Sequence, residues 1–161
     1  GGVGKDTFVE LVSTELNDSL KKFHTVVNFS SVDKVKEIAR EIGWEGGKTE
    51  KDRKFLSDLK LLSGEYCDMP FESMRNKVIE FHKNMDSLLL FLHIGEPEEI
   101  LRASKEFNAK TVLITRNSVK HITSNMADEN VFNYDYDFVI KNDGAISDFR
   151  EKAREFLEYV M

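Results

Sequence analysis

The chemistry-bearing residues with the most distinctive spacing lie at the start of the chain. Residues 1–7 read Gly-Gly-Val-Gly-Lys-Asp-Thr, and Phe8, Leu11 and Val12 begin the apolar spacing of a helix directly after them. Small residues allow successive backbone N–H groups to point at one anion, and the amino end of a helix adds partial positive charge. The Lys5 ammonium group would extend this positive region. The run therefore predicts a binding site for phosphate groups.

The run resembles the second half of the phosphate-binding P-loop, or Walker A motif. This resemblance implies that the phosphates of ATP are bound by Gly1, Gly2, Val3, Gly4, Lys5, Asp6 and Thr7. The full motif has a further glycine three residues before Gly2, and a strand before that glycine. We therefore expect a central strand to precede Gly1 in the natural protein. A flexible glycine-rich terminus in front of an unrelated helix is the alternative interpretation.

Asp6 occupies the position that carries serine or threonine in the usual motif, where the hydroxyl ligates Mg²⁺. Thr7 supplies a hydroxyl one residue later. A non-hydroxyl residue between the lysine and the threonine is common in nucleoside monophosphate kinases, in which Mg²⁺ is bound largely through water. The departure therefore favours that subclass, with Thr7 facing the nucleotide phosphates and contacting Mg²⁺ indirectly.

The remaining chain alternates between strand and helix patterns. Apolar or β-branched runs predict strands near residues 24–29, 88–94, 111–115 and 137–141. Apolar residues at helical spacing predict a helix over about 7–21, a second one that Ser31 or Asp33 caps and Gly43 ends, and further helices over about 49–62, 71–84, 97–107 and 146–160. Gly64 is expected to end the third helix. This alternation predicts a three-layer α/β domain, a parallel sheet flanked by helices, with a helical subdomain inserted over about residues 31–84.

Three further segments extend the resemblance to the P-loop monophosphate kinases, in particular the deoxynucleoside monophosphate kinases of phages and bacteria. One segment is similar to the acceptor-binding segment of that family: Asp33-x-x-Lys36-x-x-x-Arg40, then Gly43-Trp44-Glu45-Gly46, then Lys48-x-Glu50-x-x-Arg53-x-x-Leu56. Residues 91–100 and 136–144 are similar to its third and closing strands with their turns. The resemblance implies an acceptor site formed by Asp33, Lys36, Arg40 and Arg53, in which Arg53 grips the acceptor phosphate bidentately.

Arg116 follows the strand predicted over 111–115, at its carboxyl end, where open α/β sheets place their sites. The resemblance makes residues 116–135 a lid-like segment, and it implies that Arg116 stabilises charge when this segment closes. Lys5, Arg53 and Arg116 are the candidate catalytic residues. Each arginine has a simpler alternative. Arg53 would be an exposed helical residue paired with Glu50 or Asp52, and Arg116 would be a solvated loop residue.

The resemblance implies that a single domain over residues 1–161 transfers the γ-phosphoryl group of ATP, with Mg²⁺, to a nucleoside or deoxynucleoside monophosphate. Two alternatives stay open. The acceptor would be another phosphorylated metabolite, such as dephospho-coenzyme A, or the chain would be a regulatory nucleotide-binding protein with little transfer activity. His93 and Gly95 favour the regulatory alternative, because related kinases often have an aspartate and an arginine there.

Composition excludes several other classes. With 161 residues, 40% hydrophobic and 32% charged, the chain is large enough to bury a core and too polar for a membrane protein. Its longest apolar run is far shorter than the roughly 20 residues that span a bilayer. A net charge of −6 argues against nucleic acid as a partner. The single Cys67 suggests a reducing compartment. We therefore expect a cytoplasmic protein that binds neither nucleic acid nor a membrane.

Overall fold

The computed structural model describes residues 2–21, 24–117 and 131–161. The helices in these ranges are α1 (Lys5–Leu20), α2 (Asp33–Ile42), α3 (Glu50–Cys67), α4 (Met69–Lys83), α5 (Pro97–Phe107) and α6 (Ile146–Val160). The strands are β1 (Thr25–Ser30), β2 (Ser87–His93), β3 (Val112–Thr115) and β4 (Phe138–Lys141). Each strand lies within one residue of its expected position, so the predicted strands are confirmed.

The strands form two parallel pairs. β1 pairs with β2, with Val27 opposite Leu90, and β3 pairs with β4, with Ile114 opposite Ile140. Among the described residues these pairs are two separate two-stranded sheets. Parallel pairing requires long crossover connections, which α2–α4 supply between β1 and β2. The arrangement is mixed α/β, and the three-layer P-loop fold stays a prediction.

The larger of two hydrophobic cores in the described residues joins the two sheets. Helices α1 and α6 pack against each other, with the Phe8 and Phe149 ring centroids 5.5 Å apart. The Phe156 ring of α6 contacts Phe91 of β2 at 6.0 Å and Phe138 of β4 at 5.6 Å. Because one aromatic ring touches a strand of each sheet, α1 and α6 cover both sheets together.

A second, smaller core lies between α4 and α5. Phe71 and Met74 of α4 are buried with Ala103 of α5, and Phe29 of β1 packs against them. The Arg102 guanidinium lies 3.6 Å from the centroid of the Phe71 ring, in cation–π geometry. This core fixes the end of the helical segment to the strands.

Helices α2, α3 and α4 fill the stretch between residues 31 and 84 without a strand, as expected. The prediction that Gly64 ends α3 was wrong, because the helix continues to Cys67. A helical glycine costs about 1 kcal/mol but breaks no hydrogen bond. The helix ends instead at Asp68, whose φ of 54° is left-handed and whose N–H donates to the Gly64 carbonyl. No residue of α3 is buried.

Candidate phosphate-binding site

The backbone of the glycine-rich loop has the conformation that an anion site needs. Gly2 and Gly4 have φ values of 87° and 98°, and Gly4 is the residue that caps α1. Left-handed residues alternating with ordinary ones turn successive N–H groups toward one side of the chain. A Cβ on Gly4 would lie 2.6 Å from Asn142 Nδ2 and 3.2 Å from the Phe149 ring. Both the φ value and the neighbours therefore require glycine at position 4.

Asn142 fixes this loop against β3 and β4. Its side-chain Nδ2 donates to the Val3 carbonyl at 2.9 Å, and its backbone N–H donates to the Thr115 carbonyl at 2.7 Å. Asn142 directly follows β4, and Thr115 ends β3. The loop therefore lies at the carboxyl ends of these two strands, the edge at which open α/β sheets bind ligands.

The first residues of α1 lie beside the other sheet. Asp6 accepts a weak hydrogen bond of 3.4 Å from Asn28 Nδ2 of β1. Lys5 is exposed, and it borders the same cavity as His93, the last residue of β2. The loop and the start of α1 thus lie between the carboxyl ends of β2 and β3. Thr7 is half-buried in the first turn of α1.

Asp33 lies at the same edge, where α2 begins. Its Oδ2 accepts the Ser30 N–H at 2.8 Å, so the carboxylate closes the turn between β1 and α2. The next N–H, of Ser31, donates to the His93 carbonyl at 3.0 Å. The residue that caps α2 is Val32, so the expectation that Ser31 or Asp33 caps this helix was wrong. Asp33 is its first residue, and the Asp33 Oδ1 has no hydrogen-bond partner among the described residues.

His93 is neutral near pH 7. Burial lowers the pKa of its imidazole, and the positive charge of Lys5 lowers that pKa further, while Asp6 and Asp33 act in the opposite direction. Its Nε2 is buried and has no hydrogen-bond partner in the described part of the chain. A neutral imidazole adds no charge beside Lys5, whereas an aspartate at this position would add a negative one.

The seven arginines divide into two groups. Four of them form ion pairs with carboxylates: Arg75 with Glu72 and Glu106, Arg102 with Asp68, and Arg150 and Arg154 with Glu15. The other three, Arg40, Arg53 and Arg116, have no carboxylate partner within residues 2–21, 24–117 and 131–161. These three are also the arginines that the sequence pattern predicts for the site. Cations without a carboxylate partner are available to phosphate groups.

The pairing proposed as an alternative for Arg53 is absent from the described structure. Arg53 lies in the first turn of α3, half-buried, and pairs with neither Glu50 nor Asp52. The Asp52 carboxylate is instead bound by the N–H and hydroxyl of Thr49, at 2.9 and 2.6 Å, and these bonds lower its pKa. No hydrogen bond between described residues connects Arg53 to the glycine-rich loop.

The other expected acceptor residues lie along α2. Lys36, one turn after Asp33, is half-buried and forms no ion pair with any described residue. Arg40 lies near the end of the helix, about 10 Å further along its axis than Asp33. Its guanidinium stacks over Trp44, with Cζ 5.3 Å from the ring centroid. Asp33 therefore lies at the carboxyl end of β1, whereas Arg40 packs against Trp44.

Two expected parts of the site lie outside the described residues: Gly1, and residues 118–130 of the lid-like segment. Arg116 is exposed, and it directly follows Thr115, whose carbonyl accepts the Asn142 N–H. Asn142 itself was missed as a site residue. In the sequence it belongs to an Asn-Asp-Gly run that signals only a turn, and its contact with Val3 arises from tertiary structure.

The described residues contain neither a clustered metal site nor a membrane-spanning helix. No group of three or more His, Cys, Asp or Glu side chains in them is arranged to bind a metal ion. Among their helices, none has the length and apolar character that crossing a bilayer requires. Comparison of the chain with protein-family models, with curated proteins and with solved structures gave no match.

Proposed function

We propose that this chain is a P-loop phosphotransferase that moves the γ-phosphoryl group of ATP to a nucleoside or deoxynucleoside monophosphate. One observation carries the proposal. A loop with two left-handed glycines caps α1 and is fixed by Asn142 at the carboxyl ends of the strands, with the exposed Lys5 directly after it. Loop amides, a helix amino end and a free ammonium group together favour polyphosphate over other anions.

The donor would bind along the loop. The N–H groups around Gly2, Val3 and Gly4 would receive phosphate oxygens, and Lys5 would reach the β- and γ-phosphates. Lys5 forms no ion pair with any described residue, so its ammonium group has no carboxylate partner there to compete with the nucleotide. Mg²⁺, when bound, would neutralise phosphate charge, and the Thr7 hydroxyl would contact it through water.

The acceptor would bind between the strand edge and the helical segment. Asp33, Lys36, Arg40 and Arg53 are the candidate contacts, and Arg53 is the candidate for the acceptor phosphate because it has no carboxylate partner among the described residues. A phosphate oxygen is already ionised, so the transfer needs positioning and charge stabilisation rather than a general base. Arg116, beside the Asn142 contact, would supply positive charge to the transferred group.

Two other functions are alternatives to this proposal, and one experiment distinguishes all three. A P-loop kinase for another phosphorylated metabolite, such as dephospho-coenzyme A, would use the same donor loop. A nucleotide-binding protein with little transfer activity is favoured by one observation, the neutral His93 where related kinases often carry an aspartate. In all three cases we propose a cytoplasmic location, consistent with the single exposed Cys67.

The deciding experiment is an ADP-release assay with Mg-ATP and a panel of nucleoside monophosphates, deoxynucleoside monophosphates and dephospho-coenzyme A. Calorimetric binding of a non-hydrolysable ATP analogue is measured in parallel. Turnover confined to one or more monophosphates supports the proposal. Turnover only with dephospho-coenzyme A supports the second function, and analogue binding without turnover supports the third. The absence of both analogue binding and turnover would reject a nucleotide site altogether.

A further inference from the structure

The hydrogen-bond ladder of β3 and β4 continues beyond the ends of both strands. The Asn142 N–H, one residue after β4, donates to the Thr115 carbonyl at 2.7 Å. The next bond has a different kind of acceptor, because the Asn117 N–H donates to Oδ1 of the Asp143 side chain at 2.6 Å. Bonds in a parallel ladder are evenly spaced and join main-chain groups. The Asp143 carboxylate therefore takes the place of a main-chain carbonyl where the chain bends at Gly144.

The contact between Asp143 and Asn117 consists of two hydrogen bonds. Besides the main-chain N–H, the Asn117 Nδ2 donates to Oδ2 of the same carboxylate at 2.9 Å. Each carboxylate oxygen thus accepts one bond from a single residue, and bonds to an ionised acceptor are stronger than those between neutral groups. Because one bond reaches the main chain and the other the side chain, the pair fixes both the position and the orientation of Asn117.

Arg116 lies between two residues whose positions are fixed. Thr115 on its amino side is bound by Asn142, and Asn117 on its carboxyl side is bound by Asp143. The backbone has only two soft dihedral angles per residue, so a residue with both neighbours held has little conformational freedom. The main chain of Arg116 is therefore fixed. Its side chain is exposed and forms no ion pair with a carboxylate in the described ranges.

The residues that hold the main chain of Arg116 also connect it to the glycine-rich loop. Asn142 Nδ2 donates to the Val3 carbonyl at 2.9 Å, and Asp143 is the next residue of the chain. The loop and the main chain of Arg116 are thus bound to two adjacent residues. Loss of the Asp143 contact would release Asn117 and leave the loop bound to Asn142. Asp143 therefore acts on the arginine and not on the loop.

We propose that Asp143 is a positioning residue for phosphoryl transfer, whose carboxylate acts through Asn117 to hold Arg116 beside the glycine-rich loop. This role rests on the proposed phosphotransfer, in which the Arg116 guanidinium stabilises charge on the transferred group. A cation that is already in place is effective because nothing has to reorganise when charge develops in the transition state. With its main chain held, the long arginine side chain has a smaller region to explore. Asp143 itself need contact neither nucleotide.

The test separates turnover from donor binding, because an interaction made in the transition state alone changes kcat and not ground-state affinity. We expect Asp143→Ala to lower kcat with Mg-ATP and a monophosphate about tenfold, and to change the affinity for a non-hydrolysable ATP analogue by less than about twofold. Asp143→Asn should keep most of the activity. Its amide oxygen can accept the Asn117 N–H, and the Asn117 amide can rotate so that its oxygen accepts from the new side chain.

Two further variants distinguish positioning from general damage. In an Arg116→Ala background, Asp143→Ala should cause no further loss of kcat, because the group it positions is already missing. Asp148→Ala is the matched control, since Asp148 is another exposed carboxylate near this turn and accepts the Ala145 N–H at 2.9 Å. It should lower the unfolding free energy in urea as much as Asp143→Ala does, and leave kcat unchanged. If Asp143→Ala does not fold, Asn117→Ala replaces it, with an expected loss of about threefold in kcat because only the Nδ2 bond is removed.

Three results would overturn the role of Asp143: an unchanged kcat in Asp143→Ala, an equal loss in Asp143→Asn, or a further loss in the Arg116→Ala background. A fall in analogue affinity as large as the fall in kcat would overturn it too, because the loop would then have moved. Failure of the proposed function gives a different result, since the unsubstituted protein would then turn over no acceptor, and the role would be rejected with it. Turnover that Asp143→Ala leaves intact rejects the role of Asp143 alone.

Discussion

The side-chain amide of Asn142 donates a hydrogen bond to the main-chain carbonyl of Val3 at 2.9 Å, across 139 positions of sequence. The same residue bonds through its backbone to Thr115 at the end of β3. One side chain therefore sets the position of the glycine-rich loop relative to two strands. The conformation of the loop depends on this contact as well as on its own glycines.

Asn142→Ala should weaken both the fold and the loop. Loss of the bond to Val3 is expected to lower the free energy of unfolding by about 1 kcal/mol. Because the loop amides lose their fixed position, we expect the affinity for an ATP analogue to fall by about tenfold, equivalent to about 1.4 kcal/mol. Urea unfolding and calorimetry measure the two effects. The control is Asn117→Ala, which removes a bond to Asp143 at the same edge without touching the loop. Equal loss of affinity in both variants would contradict the role of Asn142.

Lys5→Ala should abolish nucleotide chemistry and leave the fold intact. Lys5 is exposed and makes no ion pair with any described residue, so its removal should change stability by less than about 0.5 kcal/mol. Removal of the main cation at the polyphosphate should lower catalytic efficiency by about 100-fold or more. Lys105→Ala, on the exposed surface of α5, is the matched control. Full activity of Lys5→Ala would reject the phosphate site.

Arg53→Ala should impair the use of the acceptor and leave binding of the donor unchanged. Loss of a charge-assisted bidentate contact would lower the catalytic efficiency for the monophosphate by roughly 30- to 1,000-fold, about 2–4 kcal/mol. Affinity for the ATP analogue, measured without acceptor, should stay the same. Lys51→Ala removes an exposed charge from the same helical turn and should have little effect. If Arg53→Ala reduces the affinity for the donor and the efficiency with the acceptor equally, or changes neither quantity, then Arg53 lies outside the site.

His93 should make the protein less stable in mild acid. Its pKa in the folded state is lowered from the ordinary value of 6.5, so the unfolded chain binds a proton more readily than the folded chain. The stabilising effect of the neutral imidazole is complete above about pH 6.5 and is lost as the pH falls toward the folded-state pKa. His93→Gln should therefore reduce the loss of unfolding free energy between pH 7.5 and pH 5.5. A pH dependence of unfolding free energy in His93→Gln identical to that of the unsubstituted protein would be inconsistent with a neutral His93 in the folded state.

The pKa of the His93 imidazole also depends on the charge of Lys5. Because the charge of Lys5 is the second cause of the lowered pKa, Lys5→Ala should raise the pKa of His93, and Asp6→Asn should lower it further. Titration of the His93 ring protons by NMR measures both shifts. Opposite movements of the pKa would confirm that these three side chains share one electrostatic environment. An unchanged pKa in Lys5→Ala would place Lys5 away from the strand edge.

The parts of the fold that depend on local sequence could be predicted. The runs over residues 88–94 and 111–115 are continuously apolar, which is typical of strands covered on both faces, and both form strands. The end of α3 was misplaced, because a glycine lowers helix stability by an amount that the rest of the helix can offset. Asp68 ends the helix by adopting a left-handed conformation, which glycine adopts more readily than aspartate.

The contacts that define the candidate site could be predicted only in part. The glycines of the loop, Lys5 and the start of α1 are adjacent in the chain, so the sequence alone predicted their combination. The Asn142 contact and the pairing of Arg150 and Arg154 with Glu15 join residues more than 130 positions apart. Sequence patterns on one helix do not contain such information. The separation of paired from unpaired arginines therefore required the structure.

The absence of any buried residue in α3 has a consequence for how an acceptor would bind. The carboxyl end of this helix is fixed, since Asp68 ends it and is bound by Arg102 of α5 at 2.8 Å. Its amino end carries the capping box of Thr49 and Asp52, which is local to the helix. Fraying should therefore begin at the turn that carries Arg53. Acceptor binding through Arg53 would arrest this fraying, so its enthalpy and entropy would both be large and opposed, and its affinity would fall steeply on warming.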